Sequence, residues 1–142
     1  MSYSRRDLAI LLPALAAAQQ PAAAKVLGPK TYLFDALPVR TNGGGTMKSR
    51  AVFDGVTTRG QRLTAHISEL APGQMPHPPA RQKHEEIIIL REGTLEVTLD
   101  GETSTIGPGS MFFIPYETLA GWKNTGTTPA QYYVVSVEER TA

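Results

Sequence analysis

Between Met75 and Glu86 the chain reads MPHPPARQKHEE, and this stretch holds two of the three histidines, two adjacent carboxylates and three prolines. His84 and Glu86 stand two residues apart, just before the strand-like run IIIL. In an extended chain, residues so spaced point to the same face. An imidazole beside a carboxylate can move protons. With one more donor it can hold a divalent ion, and His77, His84 and Glu86 would then form the two-histidine, one-carboxylate set that suits iron and related metals. His66, in RLTAHISEL, alternates with apolar neighbours and shares a face with Thr64 and Ser68. Each histidine also has a plainer role. His77 can pack between prolines, His84 can hydrogen-bond beside its carboxylates, and His66 can be a satisfied polar group of the interior.

The elements that must position these residues are short apolar runs broken by turns, at the spacing of an all-β sandwich or barrel. TYLF (31–34) reads as the first run and RTNGGGTM (40–47) as a flexible loop. RAVFDGVTT (50–58), RLTAHISEL (62–70), EIIIL (86–90), TLEVTL (94–99), SMFFI (110–114) and QYYVVSV (131–137) follow. Asp100-Gly101 is a hairpin turn, since both residues tolerate positive φ. Glu92-Gly93, Gly107-Pro108-Gly109 and Asn124-Thr125-Gly126 mark further corners. No segment after residue 30 keeps a helical period.

The 142 residues have room for one domain. Fourteen basic against thirteen acidic side chains, with no basic stripe, argue against a nucleic-acid partner. The absence of cysteine removes disulfides, zinc-thiolate sites, iron–sulfur clusters and thiol nucleophiles together. The first residues, MSYSRRDLAILLPALAAAQQ, place Arg5 and Arg6 before an apolar run that ends in small residues. This is the layout of a secretory signal, the run is too short to span a bilayer, and SRRDLAI looks like a twin-arginine signal. The reading is an export signal over 1–18, a linker over 19–30 and one β domain over 31–142, with the mature protein periplasmic or secreted and not anchored in a membrane.

PGQMPHPPARQKHEEIIILREGTLEV, followed by GPGSMFFIPYETLAGWKN, resembles the two signature motifs of the cupin family of small β-barrels. Gly73, Glu86 and Gly93 match the first motif, and Pro108, Gly109, Pro115 and Asn124 sit at the fixed points of the second. The resemblance covers residues 31–138 and implies a double-stranded β-helix, or jelly roll, with a site inside one end of the barrel. It also implies three histidines and a glutamate around a divalent ion. In this chain the first-motif histidines fall on Ala80 and Gln82, or on Pro79 and Arg81 in the strict spacing, and the second-motif histidine falls on Ala120. Glu86 alone is kept, so no cofactor is expected. Iron, manganese, nickel or zinc held by His77, His84 and Glu86 is the alternative.

A carboxylate inside a barrel without an ion needs another partner, and Arg81 or Lys83 could supply one. Glu86, with Tyr116 or His66 as the second proton-transfer group, is the candidate for acid–base catalysis. Glu86, Gln82, Arg81, His66, Tyr116 and Trp122 are the candidate ligand-binding residues, with Trp122 as an aromatic platform at the mouth and small Ala120 and Gly121 leaving space. The leading expectation is an exported small-molecule-binding barrel, for a carbohydrate or related metabolite. A metal-dependent dioxygenase or isomerase and a structural or interaction module are the alternatives. Ile87, Ile88, Ile89 and Leu90 make their strand apolar on both faces, so the outer face needs a cover: the N-terminal arm or the partner of a homodimer.

Overall fold

The computed structural model describes residues 23–139. Ten strands carry the chain: β1 (Val39–Asn42), β2 (Met47–Val56), β3 (Arg62–Leu70), β4 (Ala80–Arg81), β5 (Glu85–Glu92), β6 (Leu95–Leu99), β7 (Glu102–Ile106), β8 (Met111–Ile114), β9 (Leu119–Asn124) and β10 (Ala130–Glu138). They form two antiparallel sheets, one ordered β1-β2-β3-β10-β5-β8 and the other β4-β9-β6-β7. Face to face, these make the jelly roll, and the only helical pieces among the described residues are two short 3-10 turns.

Alternation explains the core. On β10, Ala130, Tyr132, Val134 and Ser136 point inward, and on β5 Glu86, Ile88 and Leu90 do the same. Register pairs join these rows: Tyr132 with Ser68 and Leu90, Val134 with His66 and Ile88, Ser136 with Thr64 and Glu86. From the smaller sheet, Leu95, Val97, Ala120 and Trp122 close the same core. The interior is therefore apolar toward one end and changes to Glu86, Ser136, His66 and Thr64 toward the other. That polar end is where chemistry can occur.

The strands read as β5, β6, β8 and β10 in the sequence are present with bounds shifted by a residue or two, and β3 with its bounds unchanged. Two expectations are corrected. TYLF is not a strand: the chain enters a 3-10 turn at Phe34–Ala36 and lies over the outer face of the larger sheet. There the Tyr32 ring meets Phe53 at 5.6 Å, and Phe34 is held between the Arg50 and Arg91 guanidinium groups at 4.4 and 4.3 Å. Nor is 40–47 a free loop, because Val39–Asn42 pairs with Met47–Arg50 as a hairpin around Gly43–Gly45. Part of the segment read as a linker is bound as well. The Leu27 N–H donates to the Val56 carbonyl, and the Val56 N–H donates to that of Lys25. The expected export signal lies outside the described residues.

The two motif corners serve the backbone. Asn124 is fully buried. Its Nδ2 donates to the Leu70 and Thr128 carbonyls at 2.9 and 2.8 Å, and its Oδ1 accepts from the Gly126 N–H at 2.9 Å. Glu117, two residues after Pro115, has φ +60°. Few side chains adopt that conformation without compensation. Here the Glu117 N–H donates to the Gln82 carbonyl, and its carboxylate pairs with Lys83.

Candidate functional site

Two residues apart on an extended chain, His84 and Glu86 do come together. The His84 Nε2 donates to the Glu86 Oε1 at 2.8 Å. Ser136, the register partner of Glu86 on β10, donates its hydroxyl to the same oxygen at 3.3 Å. Glu86 is 8% exposed and its other oxygen, Oε2, is buried without a hydrogen-bond partner. The far nitrogen of His84, Nδ1, lies 3.9 Å from the Glu138 carboxylate. One imidazole thus sits between an interior carboxylate and a rim carboxylate.

His84 is also the boundary of a cavity of about 740 Å3 at this end of the barrel. Gln61, Lys83, Glu85, Tyr116, Val137, Glu138 and Glu139 complete its lining. A smaller space of about 170 Å3 lies at the other side of the larger sheet, beside Arg50, Glu69 and Gln131. Its lining holds neither histidine nor tyrosine, and the candidate site is the larger cavity.

His66 lines the barrel across from Ala51 and Val134. Burial lowers its pKa from the ordinary 6.5, while the Glu86 charge pulls in the opposite direction. Tyr132, also inward, has its hydroxyl pKa raised above 10.0, first by burial and further by Glu86, against an opposing pull from nearby Trp122 and Ser68. Even so, the Trp122 indole Nε1 has no hydrogen-bond partner. A buried orphan donor is uncommon.

The remaining sequence candidates are dispersed. Arg81 is exposed, donates to the Glu117 carbonyl at 2.6 Å and approaches Asp100 at 3.6 Å, and Lys83 pairs with Glu117. Neither reaches Glu86, because Glu117 and Asp100 on the neighbouring corners take both cations first. Gln82 gives its backbone carbonyl to Glu117. Tyr116 is largely exposed and lines the cavity with its ring 5.5 Å from the Lys83 ammonium. Trp122 is not at the mouth. It is 4% exposed and packs edge-on against Phe112, Tyr132 and His77 at 5.6, 6.0 and 5.5 Å. The space expected beside Ala120 and Gly121 is likewise taken, since a Cβ on Gly121 would meet the Pro79 ring at 2.9 Å. His77 donates its Nδ1–H to the Pro78 carbonyl at 2.8 Å and faces Trp122, so it does not join His84 and Glu86.

Ser136 and Glu138 were missed in the sequence. Their signal was present: in QYYVVSVEE the inward period lands on Tyr132, Val134 and then a hydroxyl, which marks the end of the apolar interior. Among the described residues, no three histidine, aspartate or glutamate side chains gather so as to hold a metal ion.

The model of the cupin domain family matches residues 66–136, half of the chain. The chain belongs to the cupin family. Several solved structures superpose on it over most of their length. An RmlC-like cupin from Shewanella frigidimarina does so with TM-score 0.64 at 18% identity, covering 80% of this chain and 94% of that one. KdgF from Halomonas sp. gives 0.65 at 18% identity, over 80% and 96%. The polyketide cyclase RemF from Streptomyces resistomycificus gives 0.59 at 21% identity, over 81% and 87%. At such identities the likeness is one of fold. No curated protein sequence matches the chain.

Proposed function

We propose that this cupin is an exported protein that binds a small molecule at the polar end of its barrel and does so without the family's metal. The observation that carries the reading is His84, tied to buried Glu86, at the wall of a cavity of ligand size. A divalent ion needs several nitrogen or oxygen donors converging at about 2.0–2.2 Å. The positions where the family would place them carry Ala80, Gln82 and Ala120, or Pro79 and Arg81. His84 spends its Nε2 on Glu86, His77 faces Trp122, and the donor set does not fit an ion. The pair is free instead to hold a ligand by hydrogen bonds, as polar groups do in an otherwise preformed pocket.

Two measurements test this. Protein expressed with iron, manganese, nickel and zinc available is analysed for metal, and substoichiometric content is expected; stoichiometric metal lost on replacing His84 and Glu86 together overturns the metal-free reading. A melting-shift panel of sugars, sugar acids and aromatic acids is expected to return at least one stabilising ligand. A second reading takes the His84–Glu86 pair as acid–base groups of an enzyme, and turnover of a panel ligand would establish it.

Export rests on the twin-arginine-like start, and replacing Arg5 and Arg6 by lysine is expected to keep the protein in the cytoplasm. Homodimerisation is supported by the outer face of the larger sheet, where Ile87, Met111 and Phe113 are exposed among the described residues. Light scattering is expected to give twice the chain mass, and Phe113→Lys to give one.

A further inference from the structure

The outward row of β5 reads Glu85, Ile87, Ile89, Arg91: an acid, two apolar residues and a base. The alternate positions, Glu86, Ile88 and Leu90, are buried in the barrel. On β8 the register partners of Ile87 and Ile89 are Phe113 and Met111, which widen the apolar middle of the row to two strands. The face is unevenly covered. Ile67, outward on β3, is 3% exposed, whereas Ile87, Phe113 and Met111 are 38%, 50% and 64% exposed among the described residues. The arm meets β5 at its Arg91 end, where the guanidinium lies 4.3 Å from the Phe34 ring centre. Arg91 is thus propped at the border between the covered and the bare halves.

Such a row is its own complement. A twofold axis lying across β5 at Ile88 runs two copies of the strand antiparallel, and in a contact of this symmetry each pairing occurs twice. Ile87 then faces the partner's Ile89, Phe113 the partner's Met111, and Glu85 the partner's Arg91. A twofold axis along the strands would instead set Glu85 on the partner's Glu85 and Arg91 on the partner's Arg91, repulsive at both ends. It would also bring both arms to the same end. Glu85 and Arg91 each stand three residues from Ile88, about 10 Å along the strand. Aligned sheets stack about 10 Å apart and cross at about 30°, which at that radius offsets the two groups by about 5 Å. A glutamate and an arginine side chain together span that gap.

We infer that two copies of this chain pair through β5 and β8 about the crosswise axis, with Glu85 of each meeting the partner's Arg91. This rests on the homodimer reading above and gives it an orientation. It also reaches the candidate site. Glu85 belongs to the lining of the large cavity, so the margin of each cavity is completed by the partner's arginine.

Sedimentation equilibrium of the full chain measures the dimer dissociation constant. Glu85→Arg makes both ends of the row basic, and Arg91→Glu makes both acidic. Each variant alone is expected to weaken the dimer about tenfold or more, because two attractive contacts become repulsive. An equimolar mixture of the two is expected to recover the dimer, since a basic row then meets an acidic one. That recovery would also show that Arg91→Glu, which loses its stacking on Phe34, is folded and competent to pair. A dimer that Phe113→Lys breaks but neither charge reversal weakens overturns the orientation and leaves the homodimer reading standing. Weakening in both variants without recovery in the mixture overturns it as well. A full chain that is monomeric at every concentration overturns both.

Discussion

Replacing Glu86 by leucine should make this protein more stable. The carboxylate is nearly buried, and its Oε2 has no hydrogen-bond partner. Leaving a buried acceptor unsatisfied costs about 1–3 kcal/mol. The carboxylate receives two hydrogen bonds in return, from His84 at 2.8 Å and from Ser136 at a long 3.3 Å. Together these contribute roughly 2–3 kcal/mol net. A leucine at the same inward position, next to Ile88 on the same face, adds about 2 kcal/mol of apolar burial. His84 is half-buried and can turn its freed nitrogen toward water. The balance is a gain of about 1 kcal/mol, or about 4 °C in melting temperature for a domain of this size. Ile88→Ala, two residues along the same row, sets the scale in the opposite direction with an expected loss of about 2–5 kcal/mol. Urea unfolding of both variants beside the parent is the assay. A loss for Glu86→Leu comparable with that of Ile88→Ala would refute the reasoning, because the carboxylate would then be a structural member of the core. A gain accompanied by lost ligand binding would show a residue kept for function against stability.

Trp122 is the only tryptophan, so its emission should be blue-shifted, protected from acrylamide and unmoved by a ligand at the rim; Trp122→Ala should cost about 3–5 kcal/mol in unfolding experiments. His66 is held below the ordinary 6.5 by burial, so the folded state binds its proton less readily than the unfolded state. Stability should therefore fall as pH drops below 6.5 toward the folded value, and His66→Gln should flatten that slope in melting curves taken between pH 5 and 8. Phe34→Ala removes the ring held between Arg50 and Arg91, with an expected loss of about 1–2 kcal/mol and faster proteolysis around residues 30–38.

The strands that can be read from the sequence are those with β-branched and aromatic residues in strict alternation. RLTAHISEL runs as a strand from its first residue to its last, and QYYVVSV gains only one residue at each end. LAGWKN contains no β-branched residue, and it becomes β9 through its ladder to β6 and its buried Trp122, which local preference does not reveal. TYLF carries the opposite lesson: a run with strand composition serves as a latch on the outside of a sheet. At the site, the spacing of His84 and Glu86 was enough to place them on one face. The diversion of Arg81 and Lys83 was not legible, because it depends on Asp100 and Glu117 at corners far along the chain. Trp122 was misplaced for a similar reason, since its inward direction follows from its pairing with Val97.

Glu117 holds a left-handed backbone at its corner, φ +60°, anchored by its N–H on the Gln82 carbonyl and its carboxylate on Lys83. Selection for heat resistance that ignores activity should repeatedly recover glycine at 117. In doing so it would untether Lys83, release a positive charge at the entrance and remake the pocket's preference for guests.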